Sequence, residues 1–400
     1  MKQYPFDPTP ASEIFARIFA LKHQMDAHGL DALFLTHKPD IYYFSGTAQD
    51  CYLYIEKDHD PTLFVKRYLP RVQHETAIKH IEPIESITEI SKLIESLFKK
   101  HPLTCGLAFD VVPIKDFYFY QHLFNSTSFV DGSPAIEACR QIKSDWELDQ
   151  MKKAAIVSKL TFKFMEESLT PGISEMAFCG MFEAFSRTLG HSGKLLTRHY
   201  RSEVYPFHLL SGKSGGLPGG IDSPMCGTGV SNAYPYGAGP KLIRENEPIL
   251  IDFGTIVDGY HIDETRMFVM GKMPAKAKIA SLASIEILHT LLDKMAPGIT
   301  IAEVFETAVD TSKKLGFEDQ FLGLPDLKSN FIGHGIGLEL VENPIFAKNR
   351  KTILKPGMVF AIEPKFIFEH EFAAGIESVV HITDKGSNFL SITENKIFTC

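Results

Sequence analysis

Residues 249–266 read ILIDFGTIVDGYHIDETR. β-Branched and aromatic residues flank Asp258-Gly259, a dipeptide that favours a two-residue hairpin turn. With that pair as the loop, Gly254 pairs with Asp263 and Asp252 with Thr265. Side chains alternate faces along a strand, so Asp252 and Asp263 point to the same side. As diagonal neighbours they lie roughly 7–8 Å apart at the backbone. Carboxylates at that spacing can reach two metal ions roughly 3.5–4 Å apart. A longer loop would shift the register and lose this geometry.

A second pair of acids repeats the pattern. MVFAIEPKFIF (358–368) and AAGIESVVHIT (373–383) read as β runs around the polar stretch Glu369-His370-Glu371. A hairpin centred on His370 sets Glu363 opposite Glu377. Like charges facing across strands repel, and without a cation one of them takes up a proton. His334 lies in FIGHGIG (331–337), where glycines let the backbone approach closely. An acid in an apolar strand is costly to bury unless something positive meets it. The flanking stretches supply few Lys or Arg, so the expected partner is a pair of divalent metal ions. Oxygen ligands with one imidazole suit Mn, Co, Zn or Fe, with Mn favoured here. Taken singly, Asp258 is a turn former and a histidine between glycines is an ordinary loop residue. The joint occurrence of five such residues in paired hairpins carries the reading.

Composition sets the bounds. A chain of 400 residues holds about two or three domains. Its 44% apolar and 22% charged content is ordinary for a soluble globular protein. A net charge of -8 argues against nucleic-acid binding. No apolar run is long enough to span a bilayer, and MKQYPFDPTPASE lacks a signal core. The six cysteines are scattered, with no pair at metal-binding spacing, which fits a cytoplasmic setting. Cys226, in SPMCGTG, is the one to watch.

Residues 1–143 alternate helix and strand patterns, an α/β domain with its own core. Ile14, Phe15, Ile18, Phe19 and Leu21 form a helical stripe. DALFLTH, CYLYI, TLFVKR and CGLAFD read as strands, while ITEISKLIESLFKK and PIKDFYFYQHLF read as helices. The boundary falls at Ser144, whose spacing to Glu147 makes a capping box for a long helix that stops at Pro171-Gly172. A second helix runs from about Ser174 to Leu189. The same layout returns from Ala275: Pro297-Gly298, then Thr300, then Leu315-Gly316. Residues 144–400 thus read as a duplicated helix–helix–sheet unit, with the Asp pair and the Glu pair facing across a pseudo-twofold. The long loop from Ser211 to Pro240 is expected to line the mouth of the cleft.

DFGTIVDGYHIDETR, GHGIGLE, PGMVFAIEP and GIE, in that order, resemble the signature of the pita-bread metallopeptidases, a group that includes prolidase and aminopeptidase P. GLDALFLTHKPDIYYFSG and RQIKSDWEL are similar to the creatinase-type N-terminal domain and domain junction of the Xaa-Pro peptidase branch. The resemblance implies an α+β pita-bread catalytic domain behind an α/β domain, and a homodimer. It implies Asp252 on one metal ion, Asp263 and Glu377 bridging two, and His334 and Glu363 completing the second. A metal-bridging hydroxide would attack the scissile carbonyl, with Glu363 as general base and acid and His334 also in the catalytic group. The substrate would be a small peptide with proline after the scissile bond. Departures are equally specific. Pro235 or Tyr236 and Val341 stand where the branch carries two substrate-positioning histidines, and Gly375 where it carries an arginine. His208, His199 or Tyr236 are candidate replacements for the lost donors.

Three functions follow in order: a dinuclear Xaa-Pro peptidase, a non-peptidase hydrolase or lyase with a rebuilt substrate shell, and a binding module without catalysis. The five retained ligands and the acidic charge argue against the last.

Overall fold

The computed structural model describes residues 6–98, 104–198, 207–219 and 223–400. They fall into two compact units that divide in sequence between Arg140 and Gln141, with Arg198 belonging to the first.

The first unit is α/β, as its alternating pattern requires. Its helices are α1 (Ala11–Ala27), α2 (Lys38–Ser45), α3 (Leu69–Glu75), α4 (Ile90–Phe98), α5 (Ile114–Leu123) and α6 (Ser133–Gln141). Its strands are β1 (Ala32–Leu35), β2 (Cys51–Glu56), β3 (Thr62–Val65), β4 (His80–Pro83), β5 (Thr104–Leu107) and β6 (Ser128–Asp131), in the spatial order β4-β3-β2-β1-β5-β6. Phe34, Tyr54, Phe64 and Phe124 fill the core. The helical stripe is narrower than expected. Ile14, Ile18 and Leu21 are buried, but Phe15 and Phe19 are 44% and 65% exposed. Asp40 is buried beside Arg140 (2.8 Å) and Arg198 (3.0 Å).

The second unit repeats one pattern twice. α7 (Asp145–Ser168) starts at the expected capping box: Ser144 Oγ accepts from Glu147 N, and Glu147 Oε2 accepts from Ser144 N. α8 (Glu175–Thr188) is capped by Ser174. β7 (Phe207–Ser211), β8 (Ile249–Val257) and β9 (Tyr260–Val269) follow. The second copy has α9 (Ala275–Lys294), then α10 (Ile301–Lys314) capped by Thr300 and Glu303. After it come β10 (Phe331–Gly335), β11 (Glu342–Ala347), β12 (Val359–Ile362), β13 (Lys365–Phe368), β14 (Phe372–Gly375), β15 (Ser378–Thr383), β16 (Gly386–Phe389) and β17 (Ile397–Thr399). The sheets run β17-β9-β8-β7 and β11-β10-β12-β15-β16, with β13-β14 as a separate hairpin.

The decisive hairpin has the expected register, with Gly254 opposite Asp263 and Asp252 opposite Thr265. Asp258 (φ 50°) and Gly259 (φ 85°) take the left-handed conformations that a tight two-residue turn needs. The two sheets meet where Thr265 and Glu377 exchange backbone hydrogen bonds of 3.3 and 3.1 Å. Aromatic cores cover both outer faces: Phe162, Phe178 and Phe253 on one, Phe305, Phe346 and Phe360 on the other.

Candidate metal centre

Strand alternation delivers the acids to one point. On β9, Asp263 and Thr265 share one face, while Glu264 and Arg266 take the other. β12–β15 and β13–β14 follow one common register, Ile362 opposite Ser378 and Lys365 opposite Gly375. Glu363 and Glu377 sit at the break between those ladders, facing each other as expected.

All five expected residues converge. His334 Nε2 lies 4.0 Å from Asp263 Oδ2, 3.9 Å from Glu363 Oε1 and 3.9 Å from Glu377 Oε1. Ligand atoms of Asp263, His334 and Glu377 fall within 4.8 Å of one another. His334 Nδ1 is 3.0 Å from the Gly335 carbonyl. When Nδ1 donates there, the Nε2 lone pair is left facing the acids. Glu377 Oε1 is buried and has no hydrogen-bond partner, whereas its Oε2 accepts from Thr265 Oγ1 at 3.0 Å.

The expectation that cations are scarce here is wrong. Lys365 Nζ donates to Glu363 Oε2 (2.7 Å), Asp252 Oδ2 (3.0 Å) and Glu377 Oε2 (3.0 Å). Its side chain is only 1% exposed. The signal was present in FAIEPKF: Lys365 is two residues from Glu363, hence on the same face of an extended chain.

Charge follows geometry. Burial pushes the Asp263 carboxyl well above the usual range, and Glu377 and Asp252 push the same way. Burial likewise lifts Glu377, to about 8, with Lys365 opposing and Glu363 and Asp252 adding to the rise. Burial works against ionising Asp252, but Lys365 and His208 outweigh it and hold that carboxyl below its ordinary value. Burial disfavours the Lys365 ammonium, yet Asp252, Glu363 and Glu377 keep it firmly charged.

Arg266 lies beneath the centre, fully buried. Its guanidinium donates to the Glu377 carbonyl, to Thr393 O (2.8 Å) and Glu394 O (2.9 Å), and reaches Glu264 Oε1 at 3.3 Å. It holds the backbone at Glu377, just ahead of β15.

The residues expected near a substrate differ in burial. Pro235 is exposed, Tyr236 is buried and Val341 is half-buried. His208, on β7, stands opposite Asp252, with Nδ1 at 4.0 Å from Oδ2, and burial depresses its pKa. His199 lies outside the described residues. In the Ser211–Pro240 loop, Ser211 Oγ and Gly239 N donate to the buried Glu175 carboxylate. The Cys226 thiol donates to the Pro235 carbonyl at 3.4 Å. Gly216 accepts from His370 N at 2.8 Å, tying the loop's first turn to the β13–β14 hairpin.

Fold and centre together define a pita-bread metallopeptidase. Residues 149–384 match the model of metallopeptidase family M24, and residues 17–142 that of the creatinase/prolidase N-terminal domain. The chain belongs to metallopeptidase family M24. It is 25% identical over 382 residues to an Xaa-Pro dipeptidase of Pyrococcus furiosus, covering 95% of this chain and 99% of that one. Among solved structures it is similar to an Xaa-Pro dipeptidase from Bacillus anthracis (TM-score 0.83, 22% identity, 97% of this chain and 100% of that one). It is also similar to an X-Pro aminopeptidase from Thermotoga maritima (TM-score 0.79, 22% identity, 96% and 99%). These two likenesses establish the fold.

Proposed function

We propose that the chain is a metal-dependent hydrolase of small Xaa-Pro peptides, acting at the centre formed by Asp252, Asp263, His334, Glu363 and Glu377. The observation that carries this reading is the partnerless Glu377 Oε1, facing His334 Nε2 at 3.9 Å. A buried acceptor left unbonded costs about 1–3 kcal/mol, and a cation removes that cost. The donor set therefore fits a divalent ion held by Asp263, His334, Glu363 and Glu377. The relatives named as Xaa-Pro dipeptidases support the substrate class.

A divalent ion bound there would polarise the scissile carbonyl and lower the pKa of attacking water. Glu363 would take the proton from that water and pass it to the departing amine. Lys365 fixes Glu363 by holding its Oε2 at 2.7 Å, which leaves Oε1 turned toward His334. His208 is the proposed donor to the developing oxyanion, in place of the histidines absent at Pro235/Tyr236 and Val341. A cytoplasmic setting is part of this proposal, on the ground of six cysteines scattered along the sequence. Among the described residues no helix is long and apolar enough to cross a membrane.

Two observations favour a second reading, a non-peptidase hydrolase or lyase of this fold acting on a small molecule. One is the lysine inside the centre. The other is the absence of both positioning histidines. Incubation with Ala-Pro, Met-Pro and longer Xaa-Pro peptides in added Mn or Co decides between them. Release of the N-terminal residue supports the first reading, and metal binding without cleavage supports the second.

A further inference from the structure

We propose that the ammonium of Lys365 takes one of the two cation places of this centre, the one beside Asp252, so that the centre binds a single divalent ion. The inference rests on reading the five residues as a cation centre and is independent of the peptide substrate.

An ammonium has three N–H donors. Those of Lys365 meet oxygens from three different carboxylates at 2.7, 3.0 and 3.0 Å. No donor is left over, and Nζ stands at the point equidistant from those oxygens to within a few tenths of an ångström. A divalent ion bound by the same oxygens would need them at roughly 2.0–2.2 Å and would sit where Nζ sits. Two cations cannot share that point.

The lysine is fitted to the position. Its strand partner is Gly375, where an added Cβ would come 2.6 Å from Lys365 Cγ. The absence of a side chain at 375 is thus what leaves room for the lysine stem. The Lys365 carbonyl accepts from Leu322 N at 2.9 Å, which anchors the backbone on its other side. With 1% of the side chain exposed, withdrawal of the ammonium from its three partners would strand a buried charge, which is strongly disfavoured.

The opposite side of the centre has the reverse character. Glu377 turns Oε2 to Lys365 and Oε1, without a partner, to His334. Glu363 divides its two oxygens in the same way. These two acids thus bridge an ammonium and an ion place rather than two ion places. Charge agrees: the ammonium and one divalent ion leave the four carboxylates one negative charge in excess, whereas a second ion would reverse the sign.

The test is Mn stoichiometry of the full-length chain by equilibrium dialysis and elemental analysis, for the native protein and for Lys365→Ala. One ion per native chain and two per Lys365→Ala chain is the expected result. Two ions per native chain overturn the inference, as does one ion in a folded Lys365→Ala chain. Anomalous diffraction at the Mn edge on the native protein requires no variant. It should give one peak bonded to His334, and a peak bonded to Asp252 overturns the inference. Absence of Mn from both proteins sinks the cation-centre reading and this inference with it. One bound ion without Xaa-Pro cleavage sinks the substrate alone.

Discussion

Gly375 stands opposite Lys365 in the β13–β14 hairpin, and the space a Cβ would need at 375 is filled by the lysine's own stem. The two residues form one steric unit. Gly375→Ala should therefore lower stability by about 1–3 kcal/mol, the usual cost of overpacking. Pairing it with Lys365→Ala should remove most of that cost. Urea unfolding of the four proteins in the cycle measures the coupling, and independent, additive effects would refute the contact.

Asp263 Oδ2 lies 4.0 Å from His334 Nε2, and Lys365 donates to the other three carboxylates. Added Mn should raise the Tm of the native protein, since an ion stabilises only the state that binds it, and Asp263→Ala should lose that rise together with turnover. Turnover equal to the native value would end the assignment of Asp263 to the metal.

Arg266 is a buried cation whose carboxylate partner, Glu264, is also buried. Arg266→Leu leaves that acid uncompensated and the Glu377 carbonyl without its donor. The expected cost is about 3–5 kcal/mol. Glu264→Gln in the same chain should restore part of it, because Ser158 and Thr393 donate to that side chain regardless of charge. A double variant as unstable as Arg266→Leu alone would contradict this account.

His191 accepts a hydrogen bond from Ile256 N at 3.1 Å through Nδ1, so its folded form is the neutral imidazole. Burial lowers its pKa from 6.5 to about 4; Arg187 adds to the fall and Glu183 opposes it. Between those values the unfolded chain binds a proton that the folded chain refuses. The contribution is thus complete above pH 6.5 and is lost as pH drops toward 4. His191→Gln should flatten stability against pH across that window. Parallel curves for the two proteins would remove His191 from the explanation.

Local chemistry made much of this fold legible. The Asp258-Gly259 turn fixed a strand register to the residue, and the Ser144–Glu147 capping box marked a helix start, because each signal acts within four residues. What depended on distant chain was not legible. The pairing of β7 with β8, which sets His208 opposite Asp252, and the Thr265–Glu377 link joining the sheets are tertiary choices with no local signature. Phe15 and Phe19 have the spacing of core residues, yet they lie on the outer side of α1. Lys365 is a different case. Its alternation with Glu363 was readable, but a lysine beside an acid ordinarily marks a solvated face, and the depth of this one comes only from the fold around it.

A positive charge welded into the polypeptide cannot be leached by a chelator or exchanged for a rival metal. Where divalent ions are scarce, Lys365 still steadies the carboxylates of Asp252, Glu363 and Glu377.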